Sequence, residues 1–181
     1  MSEIATLREF RGRYDEYVQT VSSPAIALSW QALESIWGVL VQGAPDSVLE
    51  YGSGISTALL ATYASQVGFK IRSYDSDEGW CAKSNQFLEQ QGLGTWATCE
   101  YALAAFPAET AQFVLWDYDK NPMRVELMPV AFENLERGGV MYVDDMHSAE
   151  IRGAFERLPG TKESDTPVDG FGRYGSFIRK D

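Results

Sequence analysis

Basic charge is scarce in this chain. Its 181 residues carry 15 Lys and Arg against 26 Asp and Glu, for a formal net charge of −11 and an isoelectric point near 4.5. Nucleic acids are bound mainly through cations on phosphates, and anionic membranes attract basic segments, so neither is an expected partner. Histidine occurs once, at His147, and cysteine twice, at Cys81 and Cys99. The cysteines lack the Cys-x-x-Cys spacing, and two of them with a lone histidine exclude most zinc and multi-histidine sites. Two reduced thiols in or near the core are expected. No apolar run approaches the ~18 residues of a membrane span. The opening Met1-Ser-Glu-Ile-Ala-Thr-Leu-Arg lacks the basic start and apolar stretch of a signal peptide, so a cytoplasmic location is expected.

What is present is a core-forming composition, 45% hydrophobic, arranged with two periodicities. Ile4, Leu7, Phe10, Tyr14, Tyr17 and Val18 recur at helical spacing and predict a helix over 2–20. A second helix is predicted from Ser29 to Val41, closed by Gly43-Ala-Pro45. Then strands and helices alternate. Strands are expected at Ser47–Tyr51, Lys70–Asp75, Ala97–Ala102, Gln112–Asp117 and Val140–Asp144. The helices between and after them are Ser56–Gly68, Asp77–Gln91, Arg124–Arg137 (stopped by Gly138-Gly139) and Ser148–Leu158. The tail around Phe171–Arg179 reads as a last strand, with a weaker one in Gly160–Val168 and no helix between them. This pattern predicts an α/β, Rossmann-like, mostly parallel sheet with helices on both faces and an antiparallel hairpin at one edge. One domain over 1–181 is expected, with residues 1–45 as a helical cover and 46–181 as the α/β core.

The most informative segment is Val48-Leu49-Glu50-Tyr51-Gly52-Ser53-Gly54-Ile55-Ser56. A strand feeding a Gly-Ser-Gly turn into a helix lets backbone approach a nucleotide-like ligand and offers free helix N–H groups. Glu50 at the strand tip disfavours a pyrophosphate by like-charge repulsion and suits a cationic ligand such as S-adenosylmethionine (SAM). Asp75 ends the next strand, where an acid can accept both hydroxyls of a ribose. Its competing role is to cap the following helix. Glu100, Asp117, Asp144 and Asp145 end the later strands, so five acidic positions line one rim. Glu100-Tyr101-Ala102 is placed by strand order to hold an adenine, and Trp80 to flank the adenosine. Trp37 and Trp116 read as core.

Glu-x-Gly-x-Gly after the first strand, an acid after the second and Leu115-Trp116-Asp117 on the fourth resemble a class I SAM-dependent methyltransferase over about Ser29 to Arg179. Ser56 in place of a third glycine, with Ala27-Leu28-Ser29 upstream, is similar to the catechol, caffeoyl-CoA and macrolide-sugar O-methyltransferase branch. The resemblance implies seven strands ordered 3-2-1-4-5-7-6 with the seventh antiparallel. It implies SAM bound by Glu50, Gly52, Ser53, Gly54, Ser56 and Asp75, to which strand order adds Glu100 and Tyr101. It also implies Mg²⁺ on Asp117, Asp144 and Asp145, which would stabilise an acceptor oxyanion.

Asp117 and His147 are the catalytic candidates, His147 as general base. Asp119, Lys120 and Asn121 are candidate pocket residues, with Lys120 alternatively softening the negative charge. If no metal is used, Arg152 or Arg173 is the expected counter-charge to the acid pair. The expected partner is a small-molecule methyl acceptor, with a homodimer left open. The chain departs from the branch in being short, with Asp165–Gly172 as a small candidate for the acceptor-shaping insertion. The alternatives are a metal-independent N-methyltransferase, a non-catalytic SAM-binding or interaction protein and, last, a nicotinamide-dependent oxidoreductase.

Overall fold

The computed structural model describes residues 7–103, 106, 108–120 and 122–181. The expected helix over 2–20 is seen as α1 (Leu7–Thr20), with Ile4 outside the described residues; α2 (Trp30–Gly43) follows. Ser29 starts α2 by accepting a hydrogen bond from the Ala32 amide at 3.1 Å, and Ala44 ends it in the left-handed region. Leu33, Ile36 and Leu40 on one α2 face are fully buried, each worth about 1.5–3 kcal/mol of removal from water.

The α/β core then runs β1 (Val48–Tyr51), α3 (Ile55–Val67), β2 (Ile71–Asp75), α4 (Glu78–Gln90), β3 (Ala97–Tyr101), β4 (Ala111–Trp116), α5 (Met123–Glu133), β5 (Leu135–Val143), α6 (Ala149–Glu156), β6 (Thr161–Asp165) and β7 (Ser176–Arg179). The sheet order is β3-β2-β1-β4-β5-β7-β6, as expected. Strands β1 to β5 pair in parallel, and β7 is antiparallel to both β5 and β6. Helices α1 to α4 contribute to the apolar layer on one face, and α5 and α6 to that on the other. The chain leaves β1 in one direction along the sheet and returns to β4 on its other side. The ends of β1 and β4, where Tyr51 pairs with Trp116, therefore border a topological switch point.

One expectation needs correction. The fifth helix ends at Glu133, not Arg137, and Gly138-Gly139 lie inside β5. There the register slips: Ala111 faces Leu135, but Phe113 faces Val140. Gly138 sits at φ +77°, and a Cβ on Gly139 would lie 2.8 Å from the Gln112 carbonyl oxygen, so these glycines form a strand irregularity rather than a helix stop. As expected, no helix joins β3 to β4 among the described residues. Phe106 packs there against Tyr51, Trp116 and Tyr118. Trp37 and Trp116 are core, as expected. No helix among the described residues is long and apolar enough to cross a membrane.

Candidate cofactor and acceptor site

A cleft of about 450 Å³ opens at the C-terminal edge of the strands. Its wall includes Gly52, Ser53, Gly54, Ser56, Asp75, Asp77 and Trp80 on one side and Asp117, Asp119, Lys120, Arg124 and Asp145 on the other.

The turn after β1 is built by its glycines. Gly52 sits at φ +94°, and a Cβ there would lie 2.2 Å from the Asp117 carbonyl oxygen, so the β1 and β4 ends can approach only without a side chain. Asp75 Oδ2 accepts from the Ser53 amide at 2.7 Å and the Ser53 hydroxyl at 2.8 Å, while Oδ1 accepts from the Asp77 amide at 3.0 Å. Asp77 itself caps α4 through the Trp80 amide, and the Trp80 indole N–H donates to the Ser53 carbonyl at 2.7 Å. Asp75 thus both faces the cleft and braces the turn, and Trp80 flanks the same end.

Glu50 lies behind this wall, fully buried. Its Oε2 accepts from the Thr57 hydroxyl at 2.6 Å, and the same oxygen of Thr57 accepts from the Gly54 amide at 2.9 Å. Glu50 therefore supports the turn through Thr57. Its Oε1 and the Ser73 hydroxyl are buried without hydrogen-bond partners. Burial pushes the Glu50 carboxyl up to about 7, against the pull of nearby hydroxyls, of which Thr57 is in hydrogen-bond contact.

Glu100 and Tyr101 are not brought to the cleft. Both are exposed at the end of β3 and absent from its wall, so the placement by strand order is corrected. Strand order locates the edge but not the outward lean of its last residues.

Asp117, Asp144 and Asp145 do come together: one oxygen from each lies within 4.8 Å of the others. What the sequence reading missed is the cation among them. Arg124, 5% exposed, donates from Nη1 to Asp145 Oδ2 at 2.6 Å, from Nη2 to Asp117 Oδ1, and from Nε to the Tyr118 carbonyl at 3.0 Å. The buried Tyr142 hydroxyl donates to Asp144 Oδ1 at 2.7 Å. Burial pushes Asp117 and Asp144 above the usual carboxylate range; Arg124 pulls both back, and the neighbouring acids add to the rise. Asp119 and Asp145 adopt φ +51° and +58°, left-handed backbone at the two turns that carry these groups.

The expected counter-charges are elsewhere. Arg152 donates to the Met146 carbonyl, and Arg173 pairs with Asp169 while donating to the Pro24 and Ala25 carbonyls. Through Arg173, the Asp165–Gly172 segment clasps the segment carrying Ile26, Ala27 and Leu28, and these three residues line the cleft. No α2 residue does, so the cover expected of the second helix falls to the segment before it. From α1, Tyr17 lines the cleft, its hydroxyl 3.3 Å from where a Gly54 Cβ would sit. Burial, then the charges of Glu50, Asp75 and Asp117, push that phenol up. The helical spacing of Tyr17 marked it only as core.

His147 stands in an adjoining recess with Asp119, Lys120, Arg124 and Asp145. Its side chain is 43% exposed, and Nδ1 lies 3.6 Å from Asp145 Oδ1. Asn121 lies outside the described residues. Cys81 and Cys99 are buried and not joined in a disulfide.

No protein-family model and no curated protein sequence matches the chain. Solved structures do. An O-methyltransferase from Bacillus cereus, in complex with S-adenosylhomocysteine (SAH), superimposes with a TM-score of 0.71 at 16% identity, covering 99% of this chain and 94% of that one. The O-methyltransferase TomG from Streptomyces achromogenes, involved in tomaymycin synthesis and solved with SAM, gives 0.68 at 15% identity, covering 100% and 91%. At such identities the likeness is one of architecture: the chain has the Rossmann-like α/β fold of the class I SAM-dependent methyltransferases.

Proposed function

We propose that this chain is a SAM-dependent methyltransferase acting on a small-molecule acceptor, with a hydroxyl as the methylated group. The observation that carries the proposal is the single cleft joining two unlike ends. One is the Gly52–Gly54 turn with Asp75 and Trp80, and the other is the Asp117, Asp145, Arg124 and Lys120 group. The first end fits the cofactor. Its glycines leave the wall without side chains, Asp75 offers acceptor oxygens to a ribose, and the buried Glu50, once ionised above about pH 7, adds negative potential toward a cation. Bound there, SAM supplies an electrophilic methyl group on a sulfonium.

The protein's own part is positioning and proton removal. Holding the acceptor oxygen in line with the methyl group can supply up to ~7–11 kcal/mol. Ile26, Ala27 and Leu28 give one part of the cleft an apolar lining. His147, beside Asp145 and open to the recess that shares Asp119, Lys120 and Arg124 with the cleft, accepts the acceptor's proton.

Mg²⁺ does not fit the acid group as it stands. The three carboxylates converge, but Asp117 and Asp145 already bind a buried guanidinium and Asp144 a buried phenol. No step is therefore assigned to a metal. The test is SAH release from SAM across phenols, alcohols and amines. Turnover of hydroxyl acceptors is expected; turnover of amines alone would favour N-methylation. SAM binding with no turnover on any acceptor would favour a non-catalytic protein.

A further inference from the structure

We infer that Arg124 is the resident cation of the Asp117–Asp144–Asp145 group, a built-in guanidinium in place of a divalent ion, and that the site works without metal. Three features support it. Arg124 has a fixed fork of donors, and the fork is used. The two terminal nitrogens take one carboxylate each, and Nε is anchored on the Tyr118 carbonyl. Next, the guanidinium is enclosed. Its side chain is 6% exposed, while those of Asp117 and Asp145 are 29% and 32% exposed. It is held in the wall between the cleft and the His147 recess, and it does not lose its proton in proteins. Finally, Asp144, the most buried of the three acids, is served by the Tyr142 hydroxyl rather than left for an ion.

A dication reaching the same oxygens would meet a fixed positive charge at hydrogen-bond distance from two of its three ligands. Mg²⁺ also demands near-octahedral oxygen geometry and dehydrates reluctantly, so it competes poorly for carboxylates already in charge-assisted bonds. Arg124 is a positioning residue here: it sets the direction of Asp117 and Asp145 in the cleft wall.

The consequence for turnover rests on the methyl-transfer proposal, whereas ion binding does not. The probe is Mn²⁺, followed by the loss of its free-ion electron paramagnetic resonance signal on titration with the full chain. Wild-type protein is expected to show no saturable binding below about millimolar Mn²⁺. Arg124→Met, which keeps the stem and removes the charge, is expected to bind at least tenfold more tightly, and adding Asp144→Asn should abolish the gain. Arg124→Gln serves the same purpose if the Met variant melts at room temperature. Micromolar Mn²⁺ binding by wild type that Asp144→Asn removes would overturn the inference. So would folded charge-neutral variants that bind no better than wild type. SAH binding measured on the same wild-type sample separates the two proposals: its failure would count against the cofactor site and leave the ion result standing.

Discussion

Glu50→Gln is expected to stabilise the protein, and to do so only at neutral and alkaline pH. The Glu50 carboxyl is raised from its ordinary 4.5 to about 7 by burial. Between those values the folded chain holds a proton that the unfolded chain has released, so folding stability falls as pH rises through this window and is level outside it. At about 1.4 kcal/mol per tenfold change in proton affinity, the full cost above the window is about 3 kcal/mol. An amide escapes that cost. Its carbonyl oxygen can still accept from Thr57, and its NH₂ group replaces Oε1, which has no partner. Differences in hydrogen bonding between acid and amide are present at every pH. They cancel when the stability change near pH 8 is compared with that near pH 5. The shifted Asp117 and Asp144 are common to both proteins and cancel too. Urea unfolding or calorimetry at the two pH values should therefore show the variant gaining about 2–3 kcal/mol near pH 8 relative to pH 5. For a chain of this size that corresponds to a rise of about 4–12 °C in Tm. An equal effect at both pH values, or a larger loss near pH 8, would refute the claim that Glu50 is held as a strained buried acid.

Other substitutions probe other parts of the site. Gly52→Ala should cost at least ~2 kcal/mol in urea unfolding, because left-handed backbone and a Cβ 2.2 Å from the Asp117 carbonyl oxygen both oppose it. Asp75→Ala, which removes charged acceptors from the Ser53 turn, should weaken SAH binding about tenfold or more in calorimetry, with a smaller change in kcat at saturating SAM. His147→Ala should lower kcat by about 10²–10⁴; SAH affinity should be unchanged, since the imidazole is not in the cofactor cleft.

Regular elements were legible in the sequence because the two periodicities are clean where one face is buried. The strand order followed from a resemblance carried by the first turn and the strand-end acids. The end of α5 was misread because Gly138-Gly139 looks the same as a helix stop or as a strand irregularity, and only pairing with β4 tells them apart. Acid positions were legible as a rim because strand tips put them there. Their directions were not: Glu50 turns inward to Thr57, Glu100 outward to solvent. Arg124 left almost no signal, since a single arginine in the first turn of a helix is ordinarily solvated. The hint was physical rather than local: three converging carboxylates need a counter-charge, and Arg124 opens the helix that follows the β4 acid. Tyr17 was hidden by its own helical spacing, which cannot separate a residue packed in the core from one at the edge of a cleft.

The most direct measurement is calorimetric titration of SAH into the wild-type chain and into Gly54→Leu. Backbone at Gly54 is extended, so a side chain can be borne there, and it would project toward Tyr17 and Trp80 in the cleft. Saturable one-to-one binding by wild type is predicted, lost in a variant whose Tm stays within a few degrees. Absence of binding by wild type, or undiminished binding by the folded variant, would contradict a cofactor site built on the Gly52–Gly54 turn.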